Sequence, residues 1–251
     1  MIDIKTLKMM EEIRHNYYYD LKGMFLFHTN KMEGSTFTQL ELTTLINENI
    51  VTGRHEFDDV METRNSIELF DYCIKSLDSK PLSKFEIREM HSILKRGTTD
   101  ERMGFVGKFK PIPNAIRGSK VKLSDPWTVE NDLDNLLSME INTIDDIAKF
   151  HMIFEQIHPF TDGNGRIGRM LMMKQCFEVG LVPVLITEDN AGNYKKALEI
   201  SQTTGDVSYV VNIFKEGQET FKKSEIYDKL IDLDCHYIKF RSSQKNEMEF
   251  E

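Results

Sequence analysis

The sequence predicts a mainly α-helical fold with one small β element, and two observations lead to this prediction. Apolar residues recur with a period of about 3.6 residues, the spacing of one helix face, through most of the 251-residue chain. Residues 97–126 break this pattern with four glycines and three prolines, and they contain short β-prone pieces at 105–111 and 120–123. We therefore expect a helical bundle that carries a small β-hairpin flap.

Helix signals precede and follow residues 158–163, where the most unusual segment of the chain begins. Thr143 is a suitable N-cap for a helix that turns Phe150 and Phe154 inward. Another helix is expected to begin near Asn164 and to end at Gly180. Similar periodicity predicts helices within residues 40–51, 60–77, 85–94, 193–201 and 207–231.

The composition argues against several classes of protein. A net charge of −9 and a pI near 5.4 disfavour general binding to nucleic acid or anionic membranes, which would repel the chain. Cys73, Cys176 and Cys235 are far apart and odd in number, so neither a disulfide framework nor a zinc site is expected. The N-terminus lacks a signal-peptide pattern and no stretch reaches the ~20 apolar residues of a membrane span, so we expect a cytoplasmic protein.

One segment, residues 158–169 with the sequence HPFTDGNGRIGR, concentrates groups that suit phosphate chemistry. Gly163, Gly165 and Gly168 let the backbone approach a ligand closely, and the helix that begins there presents free N–H groups to an anion. Arg166 and Arg169 are three residues apart on one face of the first helical turn, where both can bind phosphate oxygens.

The same segment supplies a base and a metal ligand. His158 precedes a proline at the predicted helix end, and its imidazole can accept a proton from an attacking hydroxyl near neutral pH. Asp162 offers a hard carboxylate oxygen of the kind that Mg²⁺ prefers. A base, a metal ligand and a phosphate cradle so close together predict phosphoryl or nucleotidyl transfer.

The pattern G-x-G-x-x-G also occurs, from Gly163 to Gly168, and Glu188 lies at about the distance of the ribose-binding acid in dinucleotide folds. That motif requires a preceding β-strand, whereas residues 145–157 have helical periodicity. The dinucleotide-binding interpretation is therefore rejected, and no Walker sequence occurs in the chain.

Residues 158–169 resemble the motif of the Fic family, H-P-F-x-[DE]-G-N-G-R-x-x-R, and every specified position is matched. Residues 105–118 are similar to the strand-and-flap segment that precedes the motif in the family, and a histidine at the position of His151 is common there, for which we expect a structural role. The resemblance covers roughly residues 82–201. It implies a Fic-like helical bundle in which ATP and Mg²⁺ bind the loop and AMP passes to a Ser, Thr or Tyr hydroxyl of a target protein.

The resemblance also implies roles for individual residues. His158 would be the catalytic base that deprotonates the target hydroxyl, and Asp162 would hold Mg²⁺. Arg166 would steady the phosphates and Arg169 would contact the γ-phosphate. Tyr194, at the start of a later helix, is a further candidate that would pack on the adenine or ribose, so the expected nucleotide site comprises Asp162, Gly163, Asn164, Gly165, Arg166, Gly168, Arg169 and Tyr194.

An upstream segment, TNKMEG from Thr29 to Gly34, resembles the family's inhibitory motif [ST]-x-x-x-E-[GN]. Thr29 and Glu33 are four residues apart and so share one helical face. A Glu33 carboxylate that reached Arg169 would neutralise its charge and occupy the space of the γ-phosphate. We therefore expect Glu33 to inhibit the enzyme.

These expectations define three regions of one globular unit. They are an N-terminal helical region with the inhibitory motif at 1–60, a Fic-like catalytic core at 82–201 and a C-terminal helical extension at 206–251. The edge of the flap is expected to receive the target protein as an added strand, over a segment that begins at Pro113 and ends at Lys122. Family members often dimerise, which makes a homo-oligomer a further expectation.

The sequence therefore predicts a protein adenylyltransferase that is inhibited by its own Glu33, and two alternatives stay open. In some family members the inhibitory glutamate helps a water molecule to remove AMP from a modified target, which would make the chain a de-AMPylase. A toxin-like, nucleotide-gated interaction protein, whose output is complex formation, would belong to a different class.

Overall fold

The computed structural model describes residues 2–13, 16–116 and 118–248, with side chains described as far as residue 237. Within these residues the chain forms twelve α-helices, no strand, and one 3-10 turn at Glu188–Asn190. The helices are α1 Ile4–Glu12, α2 Tyr17–Lys31, α3 Gln39–Glu48, α4 Phe57–Lys75, α5 Lys84–Lys95, α6 Thr99–Arg102, α7 Val129–Leu137, α8 Ile144–Ile157, α9 Asn164–Glu178, α10 Ala191–Thr204, α11 Ser208–Lys222 and α12 Glu225–Met248. The prediction of a mainly α-helical fold is confirmed.

Helix α9 lies at the centre of the molecule, which places the start of the predicted phosphate site in the interior. It packs against α8, α4, α5 and α2. All but two of its fifteen residues are buried. Such a helix must provide partners for its buried charged groups, which here are Arg166, Arg169 and Lys174.

Two apolar clusters surround this central helix. The larger joins buried residues of α1, α2, α4, α5, α7, α8 and α9 with Phe221 of α11 and Leu230 of α12. The second links α8 and α9 to α10 and α11, and it includes Tyr194 and Phe214. Helices α11 and α12 therefore contribute side chains to the core and are not solvated on all sides.

The predicted β-hairpin flap is wrong, because residues 105–116 and 118–126 form turns and irregular backbone without a strand. Donors in this segment bond to the end of α8 and to the loop that follows it. Lys110 N donates to Pro159 O over 2.8 Å, and Ser124 N donates to Gln156 O over 3.2 Å. The three prolines in the segment also lack the N–H groups that the hydrogen-bond ladder of a sheet requires. Glycine and proline marked the break in helical structure correctly, but Lys110, one of the β-prone residues, donates its backbone N–H to the loop after α8 and not to a second strand.

Helix α8 begins at the predicted residue and ends just before the predicted base. Thr143 Oγ1 accepts a hydrogen bond from Asp146 N, and the Asp146 carboxylate accepts one from Thr143 N, which together form a capping box. At the other end, His158 N donates to Phe154 O over 2.9 Å. The proline that follows lacks an N–H group and cannot extend the helix. Both boundaries confirm the sequence prediction.

The three cysteines do not form disulfides with one another. Cys73 and Cys176 are buried, Cys235 is exposed, and all three are free. Burial raises the pKa of the Cys176 thiol to about 12, which keeps it protonated and unreactive at neutral pH. In the part of the chain that the structure describes, no helix combines the length and the apolar character needed to cross a bilayer.

Candidate active site

The loop between α8 and α9, residues 158–163, is shaped by two residues in the left-handed region. His158 has φ 49° and Gly163 has φ 81°. Glycine adopts this conformation readily, whereas a histidine there costs on the order of 1 kcal/mol and persists only where neighbouring contacts hold it. The two turns bring the His158 side chain and the start of α9 to the lining of one cavity.

The end of α8 orients the His158 side chain. Its Nδ1 lies 3.3 Å from Glu155 O, a carbonyl that can only accept, so Nδ1 carries the proton and Nε2 is the basic nitrogen. Burial lowers the pKa of the His158 imidazole below its usual value, which keeps the ring neutral at pH 7. A neutral imidazole in a fixed tautomer is the form that a general base requires.

The Asn164 side chain fixes the shape of the loop. Its Oδ1 accepts from Phe160 N over 2.8 Å, and its Nδ2 donates to Phe160 O over 2.9 Å. The buried Phe160 ring stacks on the His91 ring with 3.9 Å between centroids, and His91 Nε2 lies 3.2 Å from Asp162 O. The side chain of Asn164 is therefore engaged within the loop, which leaves only its backbone N–H for the predicted phosphate contact.

Arg169 is buried in the bundle and is bonded to the end of α2. Its Nη2 donates to Glu33 Oε1 over 2.6 Å and to Thr29 O over 3.1 Å, and its Nε donates to Thr29 Oγ1 over 2.7 Å. Glu33 lies just beyond the last residue of α2, where Gly34 turns the chain with φ 90°. The structure thus brings together the threonine, the glutamate and the arginine that the sequence singled out.

Charge keeps this pair ionised, although the Arg169 side chain is buried and the Glu33 side chain is only 31% exposed. Burial alone would raise the pKa of the Glu33 carboxyl, but Arg169 outweighs that effect and holds the pKa below its usual value. Burial would likewise lower the pKa of Arg169, and the Glu33 carboxylate raises it instead. Both groups are charged at neutral pH, so separating them leaves a buried cation without its counterion.

Arg166 belongs to a second charged network. Its Nη1 contacts the Glu62 carboxylate of α4, and its Nη2 lies 3.5 Å from Asp162 Oδ2. Lys95, buried at the end of α5, contacts Glu62 as well, and its Nζ lies 2.5 Å from Asp162 Oδ2 and 2.6 Å from Asp100 Oδ2. Nothing in the sequence singles out Glu62, Lys95 or Asp100, because isolated charges on amphipathic helices most often face solvent.

Asp162 is kept ionised by this network. Burial opposes its ionisation, but Lys95 and Arg166 outweigh burial and lower the pKa of the carboxyl to about 2. The side chain is 56% exposed, so an ionised carboxylate beside the loop is accessible to a ligand and fits Mg²⁺. Glu62 and Asp100 offer oxygens within 4.8 Å of it, and all three carboxylates contact the Lys95 ammonium. Asp162 is the most exposed of the three, so the fit to Mg²⁺ depends mainly on Asp162.

A cavity of about 420 Å³ joins the loop to α10 and to the segment before α7. His158, Gly165 and Arg169 line one part of it, and Glu33 lines it from the end of α2. Asp162 and Arg166 are not in its lining. The remainder of the lining includes Lys195 and Lys196, two positively charged residues that the sequence analysis did not single out. The other lining residues are Ile116, Gly118, Ser119, Glu155, Tyr194, Leu198, Glu199 and Gln202.

Tyr194 and His151 form a buried pair against α9. The Tyr194 hydroxyl lies 2.7 Å from His151 Nε2, and His151 Nδ1 lies 3.2 Å from Gly168 O. Because a carbonyl can only accept, Nδ1 donates to Gly168 O and Nε2 accepts from the hydroxyl. Burial lowers the pKa of His151 to about 3, so the ring stays neutral and supports the helix. Tyr194 is 2% exposed, and its contact with a nucleotide stays a prediction.

Gly168 has close neighbours that leave no space for a side chain, and this gives a first prediction. A Cβ at this position would lie 2.4 Å from Glu155 Oε1 and 3.2 Å from His151 Cε1. We expect Gly168→Ala to lower the free energy of unfolding by about 1–3 kcal/mol, because both neighbours are buried. Gly192→Ala, where nothing lies within 4 Å, is the matched control and should stabilise α10 slightly. Urea unfolding measures both variants, and equal changes would contradict this account.

Glu155 is a buried carboxyl in the cavity lining, and its ionisation predicts a pH effect on stability. Burial raises its pKa from 4.5 to about 7 against the attraction of Arg169. The folded chain therefore keeps a proton that the unfolded chain releases, and stability falls as pH rises from about 4.5 to 7. Over this pH range we expect the free energy of unfolding of Glu155→Gln to fall by about 3 kcal/mol less than that of the native chain. Urea unfolding across the range tests it, and an unchanged slope would show that Glu155 is not the group responsible.

Comparison with known proteins connects this geometry to a family. A family model described as Fic/DOC matches residues 81–176. The chain is 21% identical over 245 residues to protein adenylyltransferase fic-1 of Caenorhabditis briggsae, covering 88% of this chain and 47% of the relative. It is 28% identical over 208 residues to protein adenylyltransferase Fic of Nematostella vectensis, covering 77% of this chain and 45% of the relative. The chain thus spans about half the length of the curated relatives it matches.

A solved structure shares the helical architecture. The crystal structure of a Fic domain containing signaling protein from Bacteroides thetaiotaomicron matches with a TM-score of 0.71 at 17% identity, over 93% of this chain and 90% of that chain. A match at this identity shows a common fold. The Fic-like helical bundle predicted from the sequence is therefore confirmed, apart from its hairpin.

Proposed function

Because this chain is a member of the Fic family, we propose that it transfers AMP from ATP to a hydroxyl of a target protein. The observation that supports the proposal most is that His158, the start of α9 and Arg169 line one cavity. A base, N–H groups at a helix start and an arginine provide for proton removal and for phosphate binding.

In the proposed reaction the target hydroxyl oxygen attacks the α-phosphorus of ATP. A bond forms between these atoms, the bond from the α-phosphorus to the bridging oxygen breaks, and pyrophosphate leaves. His158 Nε2 accepts the hydroxyl proton, which contributes roughly 10²–10⁴-fold to the rate. The hydrogen bond from Nδ1 to Glu155 O keeps the ring in the tautomer that this step needs.

The loop and its charged neighbours would bind the triphosphate. Backbone N–H groups of Gly163, Asn164 and Gly165 stand at the start of α9, where a helix favours anions. Arg166 would steady the phosphates, and its contact with Glu62 holds the guanidinium beside the loop. Asp162 would hold Mg²⁺, which when bound neutralises phosphate charge.

The same geometry supports inhibition by Glu33. Its carboxylate lies 2.6 Å from Arg169 Nη2, the group proposed to bind the γ-phosphate. A second anion cannot occupy that position without displacing the first, so ATP would bind with its phosphates misplaced. Lys195 Nζ donates to Met32 O over 3.3 Å and gives a further contact between α10 and the end of α2. Productive binding therefore requires Glu33 to leave Arg169.

The target protein would reach His158 beside residues 113–122. Ile116 and Ser119 line the cavity, and Ile116 is 37% exposed. Since the described part of this segment forms no strand, the proposal is that side chains and turns at this rim contact the target.

Intact-mass spectrometry tests the proposed function. The chain is incubated with ATP, Mg²⁺ and candidate target proteins, and the modified residue is located by peptide fragmentation. We expect one protein to gain the mass of AMP on a Ser, Thr or Tyr, and no gain with the His158→Ala chain. A nucleotide-gated interaction protein would bind ATP and its partner without any change of mass, which would contradict the proposal.

Removal of AMP is a second candidate, because Glu33 lines the same cavity as His158 and a carboxylate there can activate water. The modified product of the first assay is returned to the native chain without ATP. Loss of AMP that slows with Glu33→Gln would support removal. A modified protein that stays stable in the presence of the native chain would exclude it.

A further inference from the structure

The carbonyl groups of the last turn of α8 all have hydrogen-bond partners, although helix ends leave such groups without partners inside the helix. Two of the partners come from the proposed base itself and two from the 105–126 segment. The bonds are Phe154 O with His158 N (2.9 Å), Glu155 O with His158 Nδ1 (3.3 Å), Gln156 O with Ser124 N (3.2 Å) and Ile157 O with Lys110 Nζ (3.1 Å).

Lys110 is bonded to the chain on both sides of the proposed base. Its Nζ donates to Ile157 O, and its backbone N donates to Pro159 O over 2.8 Å. The same Nζ donates to Asn114 Oδ1 over 2.8 Å, and Asn114 Nδ2 donates to Phe160 O over 3.1 Å. One lysine and its asparagine partner therefore fix the carbonyls that precede and follow the base.

Lys110 is both buried and positively charged, as expected for a residue that binds the carbonyl groups at a helix end. The residue is 2% exposed, and burial lowers its pKa to about 8, so the ammonium is still the main form at neutral pH. A cation beside the last carbonyls of a helix is favoured by the helix dipole. His158 has φ 49°, a conformation that relaxes unless neighbouring contacts hold it.

We propose that Lys110, together with Asn114, is a positioning residue that holds the His158 ring at the angle needed for proton transfer. The proposal rests on the proposed function of His158 as the base. Without the ammonium bonds to Ile157 O and Asn114 Oδ1, the backbone at His158 relaxes and Nδ1 leaves Glu155 O. A misplacement of about 1 Å costs on the order of 10²-fold in rate.

Lys110→Met tests the proposal, because it removes the ammonium and keeps most of the aliphatic stem. In a Glu33→Gly chain we expect kcat for AMP transfer to fall about 10–100-fold, while KM for ATP changes by less than about twofold. Lys108→Met, an exposed lysine of the same segment, is the matched control and should leave kcat unchanged. A rise in KM at unchanged kcat, or the same loss in the control, overturns the proposal.

A second readout does not depend on AMP transfer. In a chain labelled with ¹⁵N-histidine, NMR reports which ring nitrogen of His158 carries the proton. We expect the Nδ1-protonated tautomer in the Glu33→Gly parent and a mixture of tautomers in Lys110→Met, and an unchanged tautomer overturns the proposal. If the parent transfers no AMP, the proposed function fails while this measurement still decides the role of Lys110. If Lys110→Met does not fold, Asn114→Ala is measured in the same way, since it removes the bond to Phe160 O.

Discussion

Glu33→Gly is expected to raise the rate of AMP transfer at least about tenfold, which corresponds to roughly 1.4 kcal/mol of inhibition removed. The carboxylate lies 2.6 Å from Arg169 Nη2 and holds the group proposed for the γ-phosphate. Without it, Arg169 keeps its bonds to Thr29 and presents its charge to the cavity. The measurement is the initial rate of AMP incorporation at saturating ATP, either into the chain itself or into a target.

Two further variants test this prediction, one that separates charge from shape at residue 33 and one that serves as a control elsewhere. Glu33→Gln keeps the size of the side chain and removes its charge, so we expect a smaller gain than with glycine. Glu48→Gly changes an exposed glutamate at the end of α3 and should leave the rate unchanged. If Glu33→Gly is no faster than the native chain, the inhibitory role of Glu33 is wrong.

The second large effect is expected from His158→Ala, measured in the Glu33→Gly chain so that the starting rate is high. Loss of the general base should lower kcat by roughly 10²–10⁴-fold. ATP affinity should change little, because the proposed phosphate contacts come from the loop backbone and the two arginines. Isothermal titration with a non-hydrolysable ATP analogue measures that affinity.

The exposed His236 provides the control for this variant, because His236→Ala removes an imidazole far along the chain in α12. Its transfer rate should match that of the parent. A His158→Ala chain that still transfers AMP at a comparable rate would show that another group takes the proton, and the assignment of the base would be abandoned.

Local signals in the sequence were sufficient to predict the boundaries of α8 and the turn that follows it. A capping threonine, a helical period and a proline determine where α8 begins and ends, and the glycines after it allow the left-handed turn at Gly163. These are short-range effects, and a single sequence contains them. The pairing of Glu33 with Arg169 was expected only from the resemblance of a short motif, and the structure shows the contact.

The partners of Asp162 and Arg166 that are distant in sequence could not be predicted from the sequence. Lys95 and Glu62 lie on helices far from the loop in sequence, and only the packing of α4 and α5 on α9 brings them to Asp162 and Arg166. The hairpin failed for a related reason. Among its β-prone residues, Lys110 bonds through its ammonium to Ile157 O at the end of α8 and through its backbone N to Pro159 O in the following loop, and not to a second strand.

Transfer of AMP, as distinct from transfer of phosphate, is tested most directly with ATP that carries a radioactive label in either the α- or the γ-phosphate. The Glu33→Gly chain is incubated with each form, Mg²⁺ and a target protein, and the labelled proteins are separated by electrophoresis. We predict protein-bound label from the α-phosphate alone, and its loss with His158→Ala. Label that arrives from the γ-phosphate, or no label from either form, would contradict the account.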